Sequence, residues 1–116
     1  GVLIVDSMPL PGKQGVISHA IACAGFVPVR TYAGTKDIFG RTFEYSCANH
    51  ADAFAAASGV VMGEGAEQCP LVLISDSPAQ FTTKKMQKRD LVMPLQHDIF
   101  QPLAQRAESI VKKAMK

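Results

Sequence analysis

The chain has 116 residues, of which 47% are apolar and 19% charged, with a net charge of +2. One domain's length with that much apolar material can build a core, which excludes a disordered chain. No run approaches the roughly 18–20 apolar residues of a membrane helix, and no basic leader followed by an apolar segment opens the sequence.

Val2–Val5 is a continuous apolar run that stops at Asp6-Ser7, the pattern of a strand buried on both faces whose polar end emerges at a sheet edge. It begins directly behind Gly1 without a polar lead-in, which predicts a segment internal to a longer polypeptide. Two prolines and two glycines between Pro9 and Gly15 require a loop. Ser18–Gly25 is alanine-rich and reads as a short helix or a close-packed turn that Gly25 ends. Phe26, Val27 and Val29 place a second strand in Phe26–Tyr32 despite Pro28. Gly34–Gly40 is a further loop, containing Asp37, and the alternation of Thr42–Cys47 predicts a third strand.

The clearest helix runs from about His50 to Met62, with Asn49 as its N-cap and Asp52 in the first turn, where the helix dipole favours an anion. Phe54, Ser58, Val61 and Met62 share a face at helical spacing, and Ala55–Ala57 permit close approach of another element. Gly63 and Gly65 end the helix around Glu64. Leu71–Ile74 after Pro70 predicts a fourth, buried strand. Asp76–Lys88 reads as an exposed loop or weak helix, and Leu103, Ala107, Ile110, Val111 and Ala114 define an amphipathic helix in residues 102–116. The class is α/β of the α+β type: about four strands, mixed or antiparallel, with two or three helices. Long helices do not separate the first three strands, which argues against a doubly wound sheet.

Charge is uneven, with a net −3 over residues 1–83 and +5 over residues 84–116. Lys84, Lys85, Lys88 and Arg89 cluster without interleaved aromatics, which suits a solvated face better than a nucleic-acid surface. Cys23, Cys47 and Cys69 are odd in number, widely spaced and without histidine at zinc-ligand spacing. Reduced, buried thiols of a cytoplasmic protein are expected.

Chemistry points to carboxylates. Asp6 stands at a strand end, Asp37 between glycines, and Glu64 between glycines beyond a helix. Such places let backbone and ligand converge. Oxygen donors there suit a hard cation such as Mg²⁺ or Mn²⁺ with nucleotide phosphates. The plain alternative has Asp6 capping a turn and Glu64 solvated. Ser7, Ser75 and Ser77 lack a nucleophile-elbow setting, the three histidines lie far apart, and Gly12-Lys13 has no remainder of a phosphate-binding loop.

The order of motifs is distinctive. An apolar strand leads to Asp6-Ser7, then Gly15, Ala20-Ile21, Ala24-Gly25 and Tyr32-x-Gly34-x-x-Asp37-x-x-Gly40-Arg41. Ala51-Asp52, Ala55, Ala57, Val61-Met62-Gly63-Glu64, Pro70–Ile74, Leu91-Val92 and Asp98-Ile99-Phe100 follow. Over about the first 100 residues this resembles the coenzyme F420-0:L-glutamate ligases, the γ-glutamyl ligase family. The resemblance implies a GTP-dependent, divalent-metal-dependent ligase that adds L-glutamate to a γ-linked carboxylate. It implies Mg²⁺ or Mn²⁺, K⁺ as a further requirement, and a homodimer. In that chemistry the acceptor carboxylate attacks the γ-phosphate to give an acyl phosphate, and the glutamate amine then displaces phosphate.

Residue by residue, Asp6 matches the aspartate on a first metal and Ser7 the hydroxyl on a second, with Glu64 as a further oxygen ligand. Met62, Gly63, Glu64, Gly65, Ala66, Glu67 and Gln68 match the stretch that contacts nucleotide. Lys13, Asp37 and Arg41 are substrate candidates. Where the family has two arginines and a tryptophan after its Asp-Ser pair, this chain has Met8–Lys13, and lysine replaces bidentate arginine poorly. A γ-glutamyl folate is therefore an alternative acceptor. No counterpart of the family's N-terminal half is present, so residues 1–101 are expected to form part of a ligase-like domain, completed in cis or in trans. A non-catalytic homologous domain for ligand binding or dimerisation is the other reading.

Overall fold

The computed structural model describes residues 1–115. The apolar run at the amino end forms β1 (Val2–Pro9), which turns back through a Pro/Gly loop into β2 (Val16–Ala24), antiparallel to it. The Lys13 N–H donates to the Leu10 carbonyl at 3.2 Å in that turn. Leu3, Val5 and Ser7 are half-buried while Val2, Ile4, Asp6 and Met8 are exposed, so β1 has one covered face and one open face.

The alanine-rich segment is thus a strand and not the expected helix or turn. A bulge hides its alternation. Ile4 lies opposite Ala22 and Val5 opposite Ala20, leaving Ile21 unopposed. The extra residue re-phases the strand, so that Ala20 and Ser18, paired with Val5 and Ser7, join the covered face.

The helix on that face is α1 (His50–Met62), with the predicted bounds. Asn49 Oδ1 accepts from the Asp52 N–H at 3.0 Å, and the Gly63 N–H closes the last turn on the Gly59 carbonyl at 2.9 Å. Ala51, Ala55 and Ser58 are its buried residues. Phe54 stacks edge-on against Phe26 with ring centroids 6.0 Å apart. Val61, expected on the same face, is exposed. A Cβ at Gly59 would overlap the Ser18 side chain, so glycine permits the closest approach of helix to hairpin.

A second antiparallel ladder joins β3 (Val29–Thr31) and β4 (Cys47–Asn49). Both are shorter than or displaced from their predicted spans, because residues 32–46 are consumed by turns. The Thr35 N–H donates to the Tyr32 carbonyl and the Gly40 N–H to the Asp37 carbonyl. Phe26 and Val27 pair elsewhere, with Phe81 and Gln80. The four strands are therefore antiparallel and the fold is α+β, but they lie in two separate ladders.

Leu71–Ile74 does not become a buried strand. It makes no backbone–backbone hydrogen bond among the described residues, and Leu71 and Leu73 are 87% and 92% exposed. Its composition is right for a strand, but no ladder lies beside it. After two 3₁₀ turns at Lys88–Asp90 and Leu95–His97, the chain ends in α2 (Gln101–Ala114), which carries Pro102 in its first turn. Lys116 of the predicted helix lies outside the described residues.

The core is small. Phe26, Ala51 and Ala55 are its buried hydrophobic members, and no large side chain is fully buried among the described residues. The radius of gyration is 17.3 Å, against about 13 Å for a compact domain of this length.

Candidate functional site

α1 runs antiparallel to β2, with Asp52 at Ala20 and Gly59 at Ser18. It is therefore parallel to β1. The carboxyl end of the helix and the polar end of β1 consequently lie at the same end of the layer. Ser7, opposite Ser18, is on the face that α1 covers; Asp6, its neighbour in an extended strand, is on the other. The two side chains point apart and do not converge on one point.

Asp6 is exposed, and its Oδ1 accepts from the Ser7 N–H at 2.9 Å. Opposite it on β2 is His19, whose Nδ1 is buried without a hydrogen-bond partner. Beyond α1, Gly63 adopts φ 72° and Gln68 φ 54°, so the Met62–Gln68 segment bends sharply at both ends. The Glu67 carboxylate folds back over it and accepts from the Gly65 N–H at 2.7 Å, leaving Glu64 exposed. Glu67 thus organises the loop that Glu64 tops, a role that sequence alone did not assign.

The remaining candidates lie in other loops. Lys13 is exposed in the β1–β2 turn. Asp37 is half-buried and Arg41 exposed in the β3–β4 connection, where Asp37 Oδ1 accepts from the Phe39 and Arg41 N–H groups at 2.9 Å. Arg41 Nε also stands 3.6 Å from Asp37 Oδ2. Asp37 therefore holds its own turn. Among the described residues no group of three or more His, Cys, Asp or Glu converges as a metal cage. A hard cation here would draw one or two protein oxygens and complete its shell with water and phosphate, the usual habit of Mg²⁺.

Sequence reasoning also missed the second task of Asp52. Besides capping with Asn49, its Oδ1 accepts from the Ala20 N–H at 2.8 Å, a donor at the bulge. Elsewhere, Asp90 accepts from the Gln87 N–H at 2.7 Å and stands 3.5 Å from Lys84 Nζ. The Gln87 hydrogen bond, aided by Lys84, holds its carboxyl below the ordinary value against some desolvation. Desolvation, with the charge of Asp90, pushes the Cys23 thiol up. All three cysteines are free, but Cys47 is exposed and the others half-buried, so the expected full burial does not occur. No helix among the described residues is long and apolar enough to cross a membrane.

Comparison with known proteins defines the class of this chain. The F420-0:Gamma-glutamyl ligase family model matches residues 1–76, and the chain belongs to that family. It is 36% identical over 100 residues to the coenzyme F420:L-glutamate ligase of Methanocaldococcus jannaschii, a match covering 86% of this chain and 39% of that protein. The Methanothermobacter thermautotrophicus protein of the same name is 31% identical over 99 residues, covering 85% of this chain and 39% of the relative. The Archaeoglobus fulgidus one is 34% identical over 74 residues, covering 64% and 30%. The chain thus spans about two fifths of the length of the first two of these relatives and 30% of the third, and corresponds to their C-terminal part.

Proposed function

We propose that this chain supplies the C-terminal part of a ligase that couples GTP hydrolysis to amide formation between L-glutamate and a γ-carboxylate acceptor of the coenzyme F420-0 kind. The acceptor carboxylate takes the γ-phosphoryl group, GDP departs, and the glutamate amine then displaces inorganic phosphate to leave the amide. Asp6 would hold one divalent cation, Mg²⁺ or Mn²⁺; Ser7 and Glu64 would offer oxygen to a second. Such cations neutralise charge on the transferring phosphoryl group. Met62–Gln68, bent at Gly63 and braced by Glu67, would be the stretch that contacts nucleotide. K⁺, a homodimeric assembly and a cytoplasmic setting belong to the same reading.

One observation supports it: the contacts Asp52–Ala20 and Gly59–Ser18 lay α1 parallel to β1, so the carboxyl end of the helix, which leads to Glu64, runs toward the Ser7 end of β1. The acceptor site is the part most open to variation. The β1–β2 turn offers Lys13 as its one cation, so a γ-glutamyl folate competes with the deazaflavin as acceptor.

The test is to assay the full gene product carrying this chain with GTP, Mn²⁺ and L-glutamate against deazaflavin and folate acceptors. Phosphate release and the new amide should both depend on acceptor. Asp6→Asn should lower turnover more than about 100-fold, because a cation ligand carries several kcal/mol of transition-state stabilisation. Full activity in Asp6→Asn would remove Asp6 from the site. A folded product inactive on both acceptors would favour a non-catalytic homologous domain.

A further inference from the structure

The groove between β1 and Leu71–Ile74 has the anatomy of a sheet with a strand taken out. One wall is Val2–Val5 at the free edge of β1, the other is Pro70–Ile74, and Phe54, Ser58 and Met62 of α1 also line it. Its volume is about 710 Å³. Both walls are apolar backbone runs, and Leu71–Ile74 makes no backbone–backbone hydrogen bond among the described residues. An unpaired apolar edge is a template for another strand. A small polar ligand would instead need converging polar groups, and Ser58 and Ser77 are the polar side chains on the lining.

The area to be covered identifies the occupant. The described residues expose 9625 Å², whereas a compact chain of this mass exposes roughly 6,100 Å². The excess, roughly 3,500 Å² on a single partner, is large even against the roughly 1,000–2,500 Å² per partner common in obligate dimers. It is the scale of a domain interior. The exposed apolar residues also lie on several surfaces, including the open face of β1, Val60 and Val61 of α1, and Leu71 with Leu73. One isologous patch would not cover them all. Relatives of which this chain spans 39% have the polypeptide to do so.

We infer that an extended apolar segment, corresponding to the part of the curated relatives that this chain does not span, inserts between β1 and Leu71–Ile74 as the middle strand of one continuous sheet. The inference deepens the reading that this chain is the C-terminal part of a larger ligase, and its test needs no activity. The inserted strand pairs with both edges, covers Phe54 and Met62, and turns Leu71–Ile74 into the strand its composition specifies.

A photo-cross-linking residue at position 73 of the full gene product, mapped by mass spectrometry, should link to sequence homologous to the relatives' N-terminal part, within one polypeptide or in a second subunit. Hydrogen exchange of Leu71–Ile74 amides should be slowed on the order of 100-fold relative to an unstructured segment. A second probe at position 4 should reach the same segment. Cross-links into residues 1–116 of another copy would overturn the inference in favour of a homodimer. A folded product with no cross-link and fast exchange at Leu71–Ile74 would overturn it outright. Cross-linking as expected in a product without ligase activity would retain the inserted strand and remove the ligase.

Discussion

Asp52 shows how one side chain can join three parts of a fold. Its N–H is capped by Asn49, its Oδ2 meets Asn49 Nδ2, and its Oδ1 takes the Ala20 N–H at the β2 bulge. Asp52→Ala removes a charged acceptor from a part-buried backbone donor and is expected to cost about 2 kcal/mol, while Asn49→Ala loses the cap alone, about 1 kcal/mol. Urea denaturation would rank the two. The carboxyl of Asp90 is lowered chiefly by the Gln87 hydrogen bond. A lowered acid stabilises the fold above its unfolded value and loses that contribution as pH falls through the folded one. Acid unfolding of Asp90→Asn should accordingly be flatter below about pH 4 than that of the wild type. Among the thiols, Cys47 is exposed while Cys23 is half-buried, its thiol pushed up by desolvation, so iodoacetamide at pH 8 should modify Cys47 first.

At the scale of elements, α1 was readable to the residue because every signal agreed: Asn49, Asp52, the alanines and Gly63. β2 was not. Its alanines and its bulge remove the alternation on which strand recognition depends, and tertiary pairing with β1 decides the outcome. Leu71–Ile74 fails in the opposite sense, since a strand signal is of no effect without a neighbouring ladder. Of the stripe Phe54, Ser58, Val61 and Met62, Phe54 packs on Phe26 and Ser58 is buried, Met62 borders the groove, and Val61 is exposed. For the candidate site, the order of motifs nominated Asp6, Ser7 and Glu64, but the bracing by Glu67 depends on a fold-back that spacing does not reveal. Gly59→Ala is expected to destabilise the protein. Overpacking against Ser18 costs about 1–3 kcal/mol, against about 1 kcal/mol gained in helix propensity. Adding Ser18→Gly should recover much of the loss, and thermal melts of the four combinations would measure the coupling.

For the molecule as a whole, the pairing of an expanded radius with a thin core says where stability is missing. Residues 1–63 contain the hairpin, both capped ends of α1 and the buried alanines, yet large apolar side chains are exposed both there and in the residues that follow. Residues 1–116 prepared alone should scatter X-rays with a radius of gyration nearer 17.3 Å than about 13 Å. They should also bind a hydrophobic dye that the full gene product excludes. Equal compactness and equal dye binding in the two preparations would contradict the accounting of exposed area.

The bulge also bears on how this architecture tolerates changes in length. Ile21 is the one residue of β2 without an opposite number, while the pairs on either side of it are in step with β1. Its deletion would leave each of those pairs intact but iron out the local twist and draw the Ala20 N–H back toward the ladder, away from Asp52. Loss of that residue would therefore act as a change of angle and not of register, swinging the carboxyl end of α1, with Glu64, relative to Ser7. A single codon at this point of the hairpin is in effect an adjustment of aim.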